Sequence, residues 1–214
     1  MTQPMRFAIP NKGRMEDPTA RLLHQAGFRY ERTERSLSVP IRGRNVELLF
    51  VRADDICELV TDGVADLGIT GLYLVVESGA DVEVLAELGF GHCRLTAAVP
   101  NASEVAAIED FAGLRVATSH PQTTARFFAE KGIEVQTVPL RGSIEVAPKL
   151  DVADAIVDLV SSGSTMMLNG LRPVVDVIAS QAVLIRDRTA DSPQEVAQSV
   201  TMITSVVAAR RKKY

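Results

Sequence analysis

The stretch ADAIVDLVSSGSTMMLNGL, from Ala153 to Leu171, decides the fold class. Its first part, 153–160, is rich in Val, Ile and Leu and is short enough for a strand buried on both faces of a sheet. A hydroxyl-rich turn at 161–165 follows at once and opens a segment with the composition of a helix. A buried strand that leads through a turn into a helix is typical of α/β proteins with parallel sheets.

The turn itself predicts a site for an anion. It consists of Ser161, Ser162, Gly163, Ser164 and Thr165, and we call it the hydroxyl turn. Backbone N–H groups at the start of a helix, together with hydroxyl donors, bind phosphate. Two carboxylates, Asp154 and Asp158, lie in the apolar run before it. A buried carboxylate is unfavourable without a partner, so each is expected either to contact the ligand or to pair within the fold.

Strands and helices alternate along the rest of the chain. The predicted strands are RFAIP (6–10), VELLFVR (46–52), ADLGIT (65–70), VEVLAEL (82–88), CRLTAAV (93–99), RVATS (115–119) and IEVQTV (133–138). The predicted helices cover 16–27, 53–63 and 121–132. A last helix is predicted to begin at SPQE (192–195), with Ser192 as its cap and Glu195 bonding back to that cap in a capping box. Its apolar stripe is expected to pack on the body of the protein and consists of Val196, Val200, Ile203 and Val207. This order predicts two α/β lobes with mainly parallel sheets around a central cleft, similar to type II periplasmic binding proteins.

An internal echo supports two similar lobes. GVADLGITG (63–71) and DVADAIVDLVSSG (151–163) share V-A-D followed by an apolar strand that ends at small residues. We expect one lobe at 1–91 plus 172–214 and the other at 92–171, with the run RPVVDVIASQAVLI (172–185) returning the chain to the first lobe. Ligands of open α/β sheets bind beyond the carboxyl ends of the strands, which is where both copies end.

Composition excludes several classes of function. The 214 residues carry a net charge of −4, which argues against wholesale nucleic-acid binding. No apolar run approaches the ~20 residues that cross a bilayer, and no secretory signal is visible. Cys57 and Cys93 have no pairing or metal-ligand pattern, so we expect reduced thiols and a cytoplasmic protein.

The N-terminal quarter is nonetheless a basic island. Lys12 and Arg14 precede six further arginines, Arg29, Arg32, Arg35, Arg42, Arg44 and Arg52. Any single arginine fits a solvated surface equally well. The group as a whole favours an anionic small-molecule substrate, because guanidinium groups match phosphates.

Six segments together resemble the ATP phosphoribosyltransferase family. They are KGR (12–14), VRADDI (51–56), DGVADLGITG (62–71), GHCRL (91–95), RVATSHP (115–121) and GSIEVAPKLDVADAIVDLVSSGSTMMLNGL (142–171), in the family's order. The resemblance implies that a ring nitrogen of ATP's adenine attacks the anomeric carbon of phosphoribosyl pyrophosphate. Phosphoribosyl-ATP forms and pyrophosphate leaves, with Mg²⁺ held largely through substrate phosphates, in the first step of histidine biosynthesis.

The resemblance also implies roles for individual residues. The hydroxyl turn would hold the ribose 5-phosphate, and Glu145 and Asp154 would accept hydrogen bonds from ribose hydroxyls. Asp158 would support the turn or a magnesium-bound water, and no direct protein ligand to the metal is predicted. Arg14 and Arg35 would act as the catalytic pair that clamps pyrophosphate and nucleotide phosphates. Lys12 and Arg52 would add positive charge nearby.

The chain resembles the short form of the family. That form implies a homodimer and a regulatory partner, a catalytically inactive relative of histidyl-tRNA synthetase. One departure from the family's pattern is Asp151, where glycine is common.

Other interpretations stay open on the sequence alone. A two-lobed solute-binding module would also use turns such as GVADLGITG. A phosphoribosyltransferase for another base is a third interpretation, although such enzymes usually carry two adjacent acids where Asp154 and Asp158 stand apart.

Overall fold

The computed structural model describes residues 3–33, 36–161, 163–189 and 193–212. Its strands are β1 Met5–Pro10, β2 Ser38–Pro40, β3 Val46–Val51, β4 Leu67–Gly71, β5 Val82–Glu87, β6 Cys93–Pro100, β7 Arg115–Thr118, β8 Gln136–Pro139, β9 Ala155–Val160, β10 Leu171–Ser180 and β11 Ala182–Asp187. Its α-helices are α1 Glu16–Gln25, α2 Ile56–Thr61, α3 Leu72–Ser78, α4 Pro121–Ala129, α5 Ser164–Leu168 and α6 Gln194–Arg211. The α/β fold class is confirmed.

The chain divides into two compact units, which we call unit 1 and unit 2. Unit 1 comprises Met1–Gly91 and Gln181–Tyr214, and unit 2 comprises His92–Ser180. The chain therefore leaves unit 1 after Gly91 and returns to it at Gln181. The stretch 172–180, assigned to the first lobe from sequence, belongs to unit 2 because it forms most of β10 in the second sheet.

Unit 1 is built on a six-stranded sheet in the order β2-β3-β1-β4-β11-β5. β1 pairs in parallel with β3 and β4, whereas β11 is antiparallel to both of its neighbours. Phe7 and Leu48 from this sheet and Leu22 from α1 are fully buried. The predicted apolar stripe of α6 joins the same core, with Val196, Ile203 and Val207 buried and Val200 partly buried.

Unit 2 is built on a five-stranded sheet in the order β10-β6-β9-β7-β8. β7 pairs in parallel with β8 and β9, and β6 is antiparallel to β9 and β10. β9 is the strand predicted from the opening stretch, and Ala155, Ile156 and Val157 within it are fully buried. The parallel part of each sheet is thus three strands wide.

Both sheets are mixed, which corrects the prediction of mainly parallel sheets. An apolar strand in the middle of a sheet has the same composition whichever way its neighbours run, so the pattern does not give strand direction. The run RPVVDVIASQAVLI also proves to be two strands, β10 and β11, divided at Gln181.

The start of α6 differs from its predicted capping box. Pro193 occupies the N-cap position, and the Glu195 carboxylate accepts a hydrogen bond from Arg44 at 2.7 Å instead of bonding back to a cap. The predicted cap, Ser192, lies outside the described residues. No helix in the described part of the chain is long and apolar enough to cross a membrane.

Candidate functional site

A cationic hollow lies at the carboxyl ends of β1 and β3 in unit 1. It has a volume of about 460 Å³, and Lys12, Arg14 and Arg52 line it. β1 and β3 are parallel and in register from Met5↔Val46 to Pro10↔Val51, so the segments that follow them emerge at the same edge. The Asn11 N–H donates to the Val51 carbonyl at 2.8 Å and fixes the start of the turn that carries the two N-terminal cations. The structure therefore brings these three predicted residues together.

Tyr73 also lines this hollow, and it was not among the predicted site residues. Its ring is buried, and the Arg14 guanidinium carbon lies 5.8 Å from the ring centroid. A side chain on Gly71 would come within 2.5 Å of the ring, so glycine there leaves the space that Tyr73 occupies. The signal was present in the sequence, because Tyr73 follows the strand end of the echo GVADLGITG.

Three arginines of the basic island pair with carboxylates within unit 1. Arg32 donates to Glu16 at 2.8 Å and lies 4.0 Å from the centroid of the Phe50 ring. Arg42 pairs with Glu31, and Arg44 with Glu195. Arg35, predicted as a catalytic residue, lies outside the described residues.

A second hollow lies at the hydroxyl turn in unit 2. It has a volume of about 130 Å³, and its lining includes Glu145, Asp158, Ser161, Gly163 and Thr165. Gly163 is the N-cap of α5 with φ +80°, a conformation that glycine adopts without strain. The first N–H groups of a helix have no acceptor within the helix, which makes a helix start a binding site for anions. Ser164 begins α5 and is exposed, and Ser162 lies outside the described residues.

Asp158 is the electrostatically unusual group of this hollow. Burial raises the pKa of its carboxyl to about 6, and repulsion by Glu145 adds to the shift. The Leu159 N–H donates to Asp158 Oδ1 at 2.7 Å and partly offsets the effect. Asp158 and Glu145 come from different elements, β9 and the 3-10 turn Ile144–Val146. The hollow therefore combines two carboxylates with Ser161 and Thr165 of the hydroxyl turn.

Asp154, which was predicted to contact the ribose, does not line this hollow. It precedes β9, whereas the hydroxyl turn follows β9, and a six-residue strand spans about 20 Å. Its Oδ2 accepts the Arg115 backbone N–H at 2.8 Å, and its Oδ1 accepts Arg115 Nη2 at 2.8 Å. Hydrogen bonding by Arg115 lowers the pKa of the Asp154 carboxyl. Asp154 is thus paired within the fold.

Metal-binding capacity in the described part of the chain is limited. No group of three or more His, Cys, Asp or Glu side chains is placed to hold an ion there. Glu145 and Asp158 offer two carboxylates, the oxygen ligands that Mg²⁺ accepts when waters and phosphates complete its shell.

Comparison with known proteins agrees with this arrangement. The family model described as HisG, ATP phosphoribosyltransferase, matches residues 52–205. A curated ATP phosphoribosyltransferase from Gemmatimonas aurantiaca is 43% identical over 221 residues, covering 98% of this chain and 75% of the relative. The chain belongs to the ATP phosphoribosyltransferase family.

Solved structures point the same way. One described as an ATP phosphoribosyl transferase (HisG:HisZ) complex from Thermotoga maritima matches with a TM-score of 0.81 and 26% identity, covering 96% of this chain and 99% of that one. An alkanesulfonate-binding protein, SsuA from Xanthomonas axonopodis pv. citri, matches with a TM-score of 0.56 and 16% identity, covering 99% of this chain and 76% of that one. The second likeness concerns the fold alone and does not favour a solute-binding function over membership of the family.

Proposed function

We propose that the chain catalyses the reaction its family name describes, the transfer of a phosphoribosyl group from phosphoribosyl pyrophosphate to ATP with release of pyrophosphate. This reaction is the first step of histidine biosynthesis. The observation that carries the proposal is the pair of hollows, one cationic and one with a hydroxyl turn beside two carboxylates. Each lies at the carboxyl ends of parallel strands in its own unit, where α/β proteins bind ligands.

The hollow of unit 2 suits the phosphoribosyl group. The hydroxyl turn and the first N–H groups of α5 donate hydrogen bonds to the 5-phosphate. Glu145 and Asp158 line the same hollow and accept hydrogen bonds from the ribose hydroxyls. We assign the ribose contact to Asp158 and not to Asp154, because Asp158 lines the hollow of the hydroxyl turn and Asp154 does not.

The cationic hollow of unit 1 suits pyrophosphate and the nucleotide phosphates. Arg14, Lys12 and Arg52 supply positive charge that stabilises the negative charge growing on the leaving group. Arg35 joins them by its place in the family's pattern. The adenine nitrogen attacks with its own lone pair, so positioning and leaving-group stabilisation dominate and no general base is required.

Magnesium fits this arrangement as a companion of the substrates. Glu145 and Asp158 would hold it together with substrate phosphates and waters. When bound, it neutralises part of the phosphate charge. The protein's own part is to present the two carboxylates and the hydroxyl turn.

A regulatory partner and a homodimer belong to the same proposal. The similar Thermotoga structure is named as a HisG:HisZ complex, which supports assembly of this chain with a histidyl-tRNA-synthetase-like subunit. Co-elution of the two purified proteins in size-exclusion chromatography tests the partnership.

We place the protein in the cytoplasm, since Cys57 and Cys93 are both buried and no disulfide is formed among the described residues.

The reaction is tested by absorbance at the adenine band, with purified chain, ATP, phosphoribosyl pyrophosphate, Mg²⁺ and a pyrophosphatase. We expect a rise that requires both substrates. A rise seen only after the regulatory subunit is added supports an obligate complex. No rise under either condition contradicts the proposed function.

A further inference from the structure

A second cationic groove lies in unit 1, away from the hollow assigned to the substrate phosphates. It is formed by one face of α1, the segment that follows β5, and the last turns of α6. Its volume is about 440 Å³, within the range of small-molecule sites. No residue lines both this groove and the hollow of Lys12, Arg14 and Arg52.

Three arginines line the groove, and no acidic side chain lines it. Arg210 Nε and Nη2 both donate to the neutral amide oxygen of Gln25, at 3.0 and 2.7 Å. Arg211 Nη2 donates to the Glu87 carbonyl at 3.3 Å and lies 3.8 Å from the Glu87 carboxylate, an exposed pair that contributes little. Arg21 makes no hydrogen bond or ion pair with any described residue. The groove thus holds more positive charge than its surroundings balance.

Helix electrostatics explain only part of this charge. Arg210 and Arg211 lie in the last turn of α6, where cations interact favourably with the helix dipole. Arg21 lies in the middle of α1, Glu16–Gln25, where the dipole gives no such reason. Arg21 lines the groove from α1, whereas Arg210 and Arg211 line it from α6. The arginines can therefore contact one bound anion from two sides.

The rest of the groove is apolar. Leu88 and Val207 are 1% and 6% exposed, and Phe90 is partly buried against the core of unit 1. A ligand here would meet an apolar wall with an aromatic ring and guanidinium groups on two sides. This combination of an apolar surface with a few polar anchors is typical of organic-ligand sites.

We propose that this groove is a separate binding site for a small organic anion, with its carboxylate or phosphate held by Arg21 and Arg210 and its apolar, planar body packed on Phe90 and Val207. The site is independent of the residues assigned to ATP and phosphoribosyl pyrophosphate. The arginines select the negative charge, and the apolar wall selects against inorganic ions and fully hydrated metabolites.

The test uses 1-naphthoate as the probe and isothermal titration calorimetry of the whole chain, with its neutral analogue 1-naphthamide and inorganic phosphate measured alongside. We expect 1-naphthoate to bind more tightly than either, and Arg21→Gln and Arg210→Gln each to raise its Kd about tenfold or more, since each removes a charge-assisted contact. The matched control Arg29→Gln removes an exposed arginine outside the groove and should leave the Kd unchanged.

Three outcomes would overturn the proposal. They are equal Kd values for all variants, equal binding of 1-naphthamide, and loss of binding in Arg52→Gln, which would place the probe in the substrate hollow. Thermal melting of each variant confirms that the titrated protein is folded. A phosphate Kd equal to that of 1-naphthoate is a fourth outcome that would overturn the proposal, because the apolar wall would then have no part in binding.

Discussion

Asp66 and Asp154 make the same two backbone contacts in the two sheets. The Arg6 N–H donates to the Asp66 carboxylate at 2.7 Å, and the Asp66 N–H donates to the Arg6 carbonyl at 2.8 Å. Asp154 makes both contacts with Arg115, each at 2.8 Å. Each aspartate precedes a strand that runs parallel to the strand of its arginine. The V-A-D echo therefore marks equivalent points in the two sheets. In each copy the aspartate links its own strand to the parallel strand beside it, β4 to β1 and β9 to β7.

Asp154→Asn should lower stability and leave substrate affinity unchanged. The side chain loses its charged bonds with Arg115, and we expect Tm to fall by about 2–4 °C at pH 7. Because Arg115 lowers the pKa of this carboxyl, its stabilising effect is full above the unfolded pKa of 3.8 and disappears as pH falls through the lower folded value. Thermal melts at several pH values check this. A large rise in KM for phosphoribosyl pyrophosphate would contradict the prediction and show that Asp154 contributes to substrate binding.

Asp158→Asn should raise stability at high pH and lower substrate affinity, the opposite of what we expect for Asp154→Asn. The folded pKa of about 6 lies above the unfolded value, so wild-type stability falls as pH rises from about 4 to 6 and stays lower above that. The variant should therefore gain up to about 2–3 kcal/mol in the free energy of unfolding at pH 8 and nothing at pH 4. Its affinity for phosphoribosyl pyrophosphate should fall. Urea unfolding at the two pH values, with calorimetry, measures both.

Glu145→Gln provides a control for the Asp158 prediction. Removing the Glu145 charge removes one cause of the raised Asp158 pKa, so the carboxyl should titrate at a lower pH. NMR titration of the Asp158 carboxyl carbon in both proteins shows the shift. An unchanged midpoint would mean that burial alone raises this pKa.

Arg14→Ala should reduce activity far more than stability. Its guanidinium lines the hollow assigned to the substrate phosphates, and its removal should lower kcat/KM by about 100-fold or more. Arg29→Ala is the matched control, because Arg29 is exposed and does not line this hollow. Steady-state kinetics and melting curves of both variants make the test. Parallel losses of Tm and activity in Arg14→Ala would point to a structural role.

Ser164→Glu should block phosphoribosyl pyrophosphate binding. A carboxylate at the first residue of α5 repels the 5-phosphate, so the Kd for phosphoribosyl pyrophosphate should rise about tenfold or more. The control Ser164→Ala removes one hydroxyl and adds no charge. Calorimetric titration compares the two variants. Equal affinities in both would place the phosphate elsewhere.

Local sequence patterns were sufficient for much of the fold and part of the site. β9 and the turn after it could be predicted because an apolar run ends abruptly at small hydroxyl residues. Lys12, Arg14 and Arg52 could be grouped because all three belong to the basic island and to segments that match the family's pattern. Partners distant in sequence could not be predicted. Asp154 and Arg115 are joined only by the pairing of β7 with β9, and strand direction leaves no trace in an apolar run. The V-A-D echo indicated that Asp66 and Asp154 are equivalent, but only the pairing of the strands shows that each bonds to the neighbouring parallel strand.

The return of the chain at Gln181 has a consequence for the order of folding during synthesis. In the sheet of unit 1, β5 has β11 as its neighbour, and α6 covers part of the same core. His92–Ser180 is translated, and emerges from the ribosome, before either element, and that contiguous segment contains every strand of the second sheet. Domains generally fold as units once their residues are available. The middle of the chain should therefore fold first, whereas the sheet of unit 1 stays incomplete until β11 and α6 have been translated.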